Sequence, residues 1–443
     1  MALTGLDIFR LLPKTNCKKC GFPTCLAFAM ALANGKSSID ACPTISAEAR
    51  ETLSSASEPP IQLVGIGSGD NITEVGDETE LFRHEKRFNH PTAIAVTVND
   101  YEDVEAKVDK INKLSFDRVG QHYEIDLIAL GNASGDVAVF QAAAEKVAAR
   151  TDKNLILIAG NTIAMEAALK VSAVRKPLLH AANEDNYAQM IELAQAHGCA
   201  LVARANGLKA LAALSGKIVR TGFRQLVLDP GTSAGNQTLA DLTQLRRLAI
   251  RKKYRPFAYP TISFTTKEDP GEEMLEIVSG ITKYADIVVI KTDRPEYILP
   301  ILTLRENIYA DPQKPATVEP GLYMVGEAGE DAPIYCTTNF SLSYFLIEGE
   351  ISATRIPSFI LVVDTKGTSV LTAYADDKFT AEKIARAIED SGLKQKVKHR
   401  EIVIPGAVAV LREGLEEKSG WNVLVGPREA SGLQKFAKAT FSR

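Results

Sequence analysis

Cysteine, histidine and tryptophan are all scarce in this 443-residue chain, with six, six and one copies respectively. The histidines, His84, His90, His122, His180, His197 and His399, never fall in H-x-x-H or H-E-x-x-H spacing, which removes the usual helical zinc-hydrolase motif. Long apolar runs are missing too. The purest, Phe359-Ile360-Leu361-Val362-Val363, is strand-length and far short of the ~20 residues a membrane span needs. Asp7 and Arg10 interrupt Leu3, Leu6, Phe9 and Leu12, so no continuous secretory core opens the sequence. A cytoplasmic location without membrane association is expected. Neither sign of charge dominates: 51 basic and 55 acidic residues leave a net charge of −4, with no global pull toward nucleic acid. The one basic knot, Arg251-Lys252-Lys253-Tyr254-Arg255, reads as the solvated end of a helix. With 45% hydrophobic and 24% charged residues at this length, two or three globular domains are expected.

The few cysteines are crowded. Cys17, Cys20 and Cys25 lie within NCKKCGFPTC, and Cys42-Pro43 completes C-x2-C-x4-C-x16-C. In a reducing compartment such clustering reads as metal ligation rather than disulfide bonding. Zinc folds usually present two short pairs, whereas here three thiols share one loop and a single distant one closes the set. That asymmetry favours a four-iron cluster, with zinc left as the competitor. Gly21 and Pro23 keep the loop out of a helix, so its amides can face sulfur. Cys25 then opens a strong helix former, Cys25–Ala33, stopped by Asn34-Gly35. Cys199 and Cys336 stand alone and read as core residues.

Composition divides the rest. Residues 1–57 form a small cysteine-bearing unit that needs a metal as a staple. A linker by composition, Ser54–Pro60, runs into residues 58–92, which also hold a β-hairpin; Gly65-Ile66-Gly67-Ser68-Gly69 lacks the third glycine and helix of a dinucleotide fingerprint and reads as a turn under that hairpin. Residues 93–324 alternate eight short apolar runs with helical patterns, the mark of a (β/α)8 TIM barrel. The runs are Ala93–Val98, Asp126–Leu130, Leu155–Ala159, Leu178–Ala182, Ala200–Ala203, Leu226–Leu228, Thr261–Phe264 and Ile287–Ile290. Polar residues follow several of them: Asn132, Asn161, Asn183, Arg204, Asp229, Ser263 and Lys291, the place where barrel enzymes keep their chemistry. Residues 325–443 read as a smaller Rossmann-like α/β domain. Its strands are expected at Phe359–Val363, Ser369–Ala373, Glu401–Ile404 and Asn422–Val425. Its helices are expected at Phe340–Ile347, Ala381–Ser391, Val408–Lys418 and Glu429–Ala439. Ligands of such folds sit at the carboxyl ends of strands, here Asp364–Thr368, Pro405-Gly406-Ala407 and Gly426-Pro427-Arg428.

Three stretches carry a resemblance: LLPKTNCKKCGFPTCLAFA (Leu11–Ala29), ELFRHEKRFNHP (Glu80–Pro91) and DTKGTSVLTA (Asp364–Ala373). With the order of segments, the chain resembles the large subunits of corrinoid iron–sulfur proteins of the acetyl-CoA pathway, and their archaeal counterparts in acetyl-CoA decarbonylase/synthase. The resemblance implies a methyl carrier with two cofactors. A 4Fe-4S cluster would be held by Cys17, Cys20, Cys25 and Cys42. A corrinoid would lie against the carboxyl-terminal α/β domain, near Thr338-Asn339-Phe340, Thr368-Ser369-Val370-Leu371-Thr372-Ala373, Gly406-Ala407 and Gly426. It also implies a small corrinoid-protein subunit as heterodimer partner, a methyltetrahydrofolate methyltransferase as donor, and acetyl-CoA synthase/CO dehydrogenase as acceptor. No catalytic side chain is implied, since the cobalt carries the chemistry. The D-x-H-x-x-G loop by which many corrinoid domains ligate cobalt is absent, although Ser369-Val370-Leu371 resembles their S-x-L element. A base-off corrinoid without a protein histidine is therefore implied, which suits easy reduction of cobalt by the cluster. Two other readings stay open: a pterin-dependent methyltransferase barrel, and a corrinoid-free iron–sulfur electron carrier.

Overall fold

The computed structural model describes residues 5–441 apart from 34–35, 47–48, 51–52, 54–58, 119–120 and 232–234. Most of the expected linker Ser54–Pro60 lies outside the described residues. The chain divides into two compact units: residues 1–81, 89–111 and 126–297 in one, and 82–88, 112–125 and 298–443 in the other.

In the first unit, helices Gly5–Leu11 and Cys25–Ala33 pack together through Ile8, Leu12, Phe28 and Ala29, joined by Cys25 and Cys42. The core is this thin because the segment is short. A hairpin follows, β1 (Val64–Ser68) and β2 (Asn71–Val75), turning at Gly69-Asp70. Gly65–Ser68 is thus strand rather than turn. Gly67 has φ +118°, and a side chain there would meet Asn71 O at 2.3 Å and Asn154 Oδ1 at 2.5 Å, so glycine is required.

The barrel begins with β3 (Ala93–Asn99). The chain then forms a second hairpin, β4 (Ser115–Arg118) and β5 (Gln121–Glu124), which groups with the other unit. It resumes with β6 (Leu127–Gly131), β7 (Asn154–Ile158), β8 (Leu178–Ala182), β9 (Leu201–Arg204), β10 (Leu226–Asp229), β11 (Ile262–Phe264) and β12 (Ile287–Ile290). These eight strands are parallel in the order β10-β9-β8-β7-β6-β3-β12-β11. A parallel bridge between Leu228 and Thr261, with Leu228 N–H donating to Pro260 O at 2.8 Å, joins the two ends. All eight apolar runs became strands. Their inward side chains, among them Ala95, Leu127, Ile156, Val202, Val227 and Val289, share one core with Val64, Ile66 and Val75 of the first hairpin. Helices between strands start where the sequence supplies caps: Asp136 accepts from the amides of Ala138 and Val139, and Asp269 from those of Gly271 and Glu272.

The second unit carries a five-stranded sheet: β13 (Gly321–Val325), β14 (Ile334–Thr338), β15 (Ser358–Val363), β16 (Glu401–Ile404) and β17 (Asn422–Val425). The order is β13-β15-β14-β16-β17, all parallel except the antiparallel edge strand β13. Side chains alternate between two cores. Ile334, Cys336, Leu361 and Ile404 face one helix layer, and Tyr335, Ile360, Val362 and Val403 face the other.

Three expectations in this region change. Ser369–Ala373 is not a strand: Val370–Ala375 is a helix, with Ala373 N–H donating to Ser369 O at 2.7 Å. Val370 and Ala373 both pack on the core while Leu371 is exposed, a spacing of three that a strand cannot provide. Strands β13 and β14 were not foreseen. Thr337 and Thr338 cut the apolar run of β14 to three residues, and β13 is a short edge strand opening on Gly321. The helix expected at Val408–Lys418 is split into a 3-10 segment, Gly406–Leu411, and a helix, Arg412–Ser419; Val408 (φ −124°, ψ 33°) breaks the run.

Candidate functional site

The cysteine segment owes its shape to an irregular backbone. Lys14, Asn16 and Lys18 have positive φ, as does Gly21 (φ +83°). Residues of this kind bend a chain so that neighbouring amides face one side, the geometry of anion-binding nests. Asn16 Oδ1 accepts from Cys25 N–H at 2.8 Å, and Thr24 Oγ1 accepts from Ala27 N–H at 3.0 Å, so the loop caps the helix that Cys25 begins. Cys20, Cys25 and Cys42 belong to one packed cluster. Cys17 is exposed, yet its Sγ and that of Cys42 both approach Thr44 Oγ1, at 4.0 and 3.7 Å. The two sulfurs are therefore at most the sum of those distances apart. Among the described residues no three His, Cys, Asp or Glu side chains close tightly enough to hold a single metal ion. The Lys19 backbone amide, followed by the Thr15 hydroxyl, holds the Cys17 thiol below the usual thiol range, which favours the thiolate a metal needs. Four soft donors within one small segment fit an iron–sulfur cluster. Thr44 was not foreseen, because an isolated threonine leaves no sequence mark.

The second site lies at the carboxyl ends of the sheet in the second unit. Parallel strands β15-β14-β16-β17 form a doubly wound order whose direction reverses between β14 and β16, where such folds bind ligands. A cleft of about 190 Å³ opens there. Cys336, Val403, Ile404 and Pro405 line its floor, and Leu346, Ile347 and Leu433 its wall. Of the expected contact residues, Val370, Ala407 and Gly426 line it. Gly406 is explained by its own neighbours, since a Cβ would stand 2.4 Å from Gly426 O. Thr338 and Asn339 are buried, Ala373 is in the core, and Leu371 is exposed. Phe340 is the N-cap residue of helix Ser341–Thr354, and the hydroxyls of Ser369 and Thr372 meet each other at 3.1 Å. Thr368 hydrogen-bonds within its own loop, accepting from Thr365 Oγ1 through its carbonyl.

Sequence reading missed Tyr335 and Ser343 as lining residues, whereas Arg428 belongs to the strand end Gly426-Pro427-Arg428 that it named. Among the described residues the Tyr335 hydroxyl, the Ser343 hydroxyl and the Arg428 guanidinium have no hydrogen-bonding partner. Burial pushes the Tyr335 phenol up to about 12, so it stays a donor, and burial also pushes the Cys336 thiol up, keeping it neutral. Thr337 and Thr338 carry buried hydroxyls without partners at the end of β14. The unpaired donors of Tyr335, Ser343 and Arg428 beside apolar walls fit a ligand with both apolar and hydrogen-bond-accepting parts. His399 is the one histidine of residues 298–443. It precedes β16 at the opposite end of the sheet, with Nε2 on Ala332 O at 3.0 Å and Nδ1 accepting from Glu401 N–H at 3.1 Å.

The polar residues after the barrel strands are largely used by the barrel itself. Asn161 caps helix Thr162–Ser172, Asn183 accepts from the amides of Asp185 and Asn186, and Lys291 pairs with Glu268. Asp229 accepts from His180 Nε2 at 2.9 Å, and Arg204 lies 3.4 Å from the same carboxylate. Burial pushes the Cys199 thiol up to about 12, as suits a core residue.

A cysteine-bearing segment joined to a barrel and a parallel sheet with an antiparallel edge strand defines a multidomain α/β protein. Residues 63–437 match the family described as CO dehydrogenase/acetyl-CoA synthase delta subunit, and residues 12–44 match an Fe-S cluster family. The chain is 53% identical over its whole length to the corrinoid/iron-sulfur protein large subunit of Moorella thermoacetica, of which it also covers 100%. It is 35% identical to the acetyl-CoA decarbonylase/synthase complex subunit gamma of Methanothermobacter thermautotrophicus, over 98% of each chain. Among solved structures, the dihydropteroate synthase of Vibrio fischeri ES114 is similar at a TM-score of 0.37, with 14% identity over 50% of this chain and 95% of that one. The chain belongs to the CO dehydrogenase/acetyl-CoA synthase delta subunit family, among relatives named as corrinoid/iron-sulfur protein large subunits and their archaeal gamma counterparts.

Proposed function

We propose that this chain is a methyl carrier rather than a stand-alone catalyst. A corrinoid bound at its carboxyl-terminal cleft would supply a cobalt that takes a methyl group from methyltetrahydrofolate, through a separate methyltransferase, and yields it to acetyl-CoA synthase, while a 4Fe-4S cluster returns Co(II) to Co(I). The observation that carries this reading is the pairing of four thiols in one small segment, three of them in a shared packed cluster, with a switch-point cleft that has no histidine. The 53% identity to a corrinoid/iron-sulfur protein large subunit supports it.

In this reading Cys17, Cys20, Cys25 and Cys42 hold the cluster, and the bent loop from Lys14 to Gly21 turns amides toward it. Leu346, Ile347, Val403 and Leu433 take the apolar part of the corrinoid. Tyr335, Ser343 and Arg428 donate to its polar and phosphate groups. With His399 occupied at the far end of the sheet, the corrinoid is held base-off without a protein imidazole. The working domains are 1–57 for the cluster, 58–92 for linker and hairpin, 93–324 for the barrel and 325–443 for a Rossmann-like corrinoid-binding domain. Partners are a small corrinoid-protein subunit, the methyltransferase and acetyl-CoA synthase/CO dehydrogenase, in the cytoplasm. No helix among the described residues is long and apolar enough to cross a membrane.

The test is anaerobic purification followed by cobalt, iron and zinc analysis with a visible spectrum. About four iron and one cobalt per chain are expected. Iron without cobalt would leave an electron carrier, and zinc in a colourless protein would leave a stapled scaffold; either overturns the proposal.

A further inference from the structure

Asn339 follows the central strand β14, and its side chain is only 4% exposed. Both polar atoms of its side chain are engaged with one loop. Oδ1 accepts from Thr365 N–H at 2.9 Å, from Thr365 Oγ1 at 3.0 Å and from Gly367 N–H at 3.0 Å. Nδ2 donates to Asp364 Oδ1 at 3.2 Å. The backbone is anchored on both sides, with Asn339 N–H donating to Val363 O and Asn339 O accepting from Val318 N–H.

The loop so held, Asp364–Thr368, is an improbable conformation by itself. Lys366 (φ +56°) and Gly367 (φ +71°) are consecutive left-handed residues. A Cβ at Gly367 would meet Thr317 Cγ2 at 2.6 Å, so the loop also presses closely on its surroundings. Asp364 Oδ1 accepts from Lys366 N–H at 2.9 Å, the Thr368 hydroxyl donates to Thr365 O at 2.8 Å, and the one Thr365 hydroxyl proton is shared between Asn339 Oδ1 and Thr368 O, each 3.0 Å away. Apart from the share to Asn339, these bonds all lie within the loop itself. Asn339 alone among them ties the loop to the sheet through a side chain. The loop runs straight into Ser369 and Val370, and Val370 lines the cleft.

We infer that Asn339 is a positioning residue: it latches Asp364–Thr368 to the end of β14 and thereby sets the cleft wall that begins at Val370. Its hydrogen-bonding capacity is used within the protein, so it acts through the loop and does not touch the ligand. Asparagine is required because a single side chain must accept at one atom and donate at the other (an aspartate would face the Asp364 carboxylate). This inference rests on reading the cleft as the corrinoid site.

The experiment uses the full chain and reads two quantities. Amide exchange at Thr365 and Gly367 reports the latch, and binding of cobinamide followed by visible absorption reports the cleft. Asn339→Ala removes all four side-chain bonds, and exchange at both amides is expected to quicken at least about tenfold, with cobinamide binding weakened by a similar factor. Asn339→Ser, whose hydroxyl is too short to span the loop, gives the same reading if the alanine variant does not fold. Unchanged exchange overturns the latch. Weakened binding with unchanged exchange overturns it as well, and makes Asn339 a direct ligand contact. Failure of the unmutated chain to bind cobinamide would refute the corrinoid reading of the cleft, while the exchange measurement still decides the latch.

Discussion

Replacing Gly406 by alanine tests whether the cleft is set by backbone packing. A Cβ at this position would stand 2.4 Å from Gly426 O, 2.8 Å from Pro427 C and 2.9 Å from Arg428 N, all backbone atoms that cannot rotate away. Ordinary contact needs about 3.5 Å, so the loop after β17 must retreat by about 1 Å. That loop is zipped to the one after β16 by Gly406 N–H to Pro427 O (3.1 Å) and Gly426 N–H to Ile404 O (2.9 Å). Overpacking of a closed site costs ~1–3 kcal/mol, and weakening one of these bonds adds about 1 kcal/mol. The expected loss is about 2–4 kcal/mol. The chain's single tryptophan makes the assay selective, because Trp421 is 2% exposed and immediately precedes β17. With a urea dependence of about 2 kcal/mol per M, the Trp421 fluorescence transition should fall by about 1–2 M. A midpoint within about 0.2 M of the unmutated protein would refute the packing argument.

Four further outcomes are expected. Cys20→Ala should abolish iron uptake while leaving cobalt content unchanged; parallel loss of both metals would show that the two sites are not separate. Thr44→Val removes the hydroxyl shared by Cys17 and Cys42, and the reduction potential of the iron-loaded protein should become more negative, since hydrogen bonds to sulfur favour the reduced state; an unchanged titration would exclude Thr44 as a tuning group. Arg246→Met leaves the buried Glu78 carboxylate without the guanidinium 3.0 Å away, at a cost of about 3–5 kcal/mol in thermal unfolding. Burial already pushes Glu78 up against the pull of Arg246, so the native state of the variant binds its proton more readily. Its deficit should therefore be full well above the carboxylate range and shrink as pH falls through the raised value; a deficit that grows on acidification would contradict the assignment.

Where the sequence carried strong periodicity, its reading survived intact. The eight apolar runs of the barrel were legible because inward alanine, valine, leucine and isoleucine recur between well-capped helices. The strand at Ser369–Ala373 failed for the opposite reason. Five residues cannot separate a period of two from one of three, and Asn339, 26 residues before Thr365, holds the loop that starts a helix there. Strand β14 was missed because Thr337 and Thr338 cut its apolar run to three residues, whereas β15, buried just as fully, shows an unbroken run.

The sequence by itself determined which atoms are available: four thiols in an asymmetric spacing, a barrel's worth of strands, and no histidine placed for a carboxyl-end site. Those are matters of residue type and spacing, and folding cannot alter them. Only the tertiary structure decided which residues meet. It brought Thr44 to two sulfurs, turned Asn339 inward to the loop, and lined the cleft with Tyr335, Ser343 and Arg428. Such meetings depend on the strand order β15-β14-β16-β17, which is fixed by side-chain packing between segments far apart in the chain.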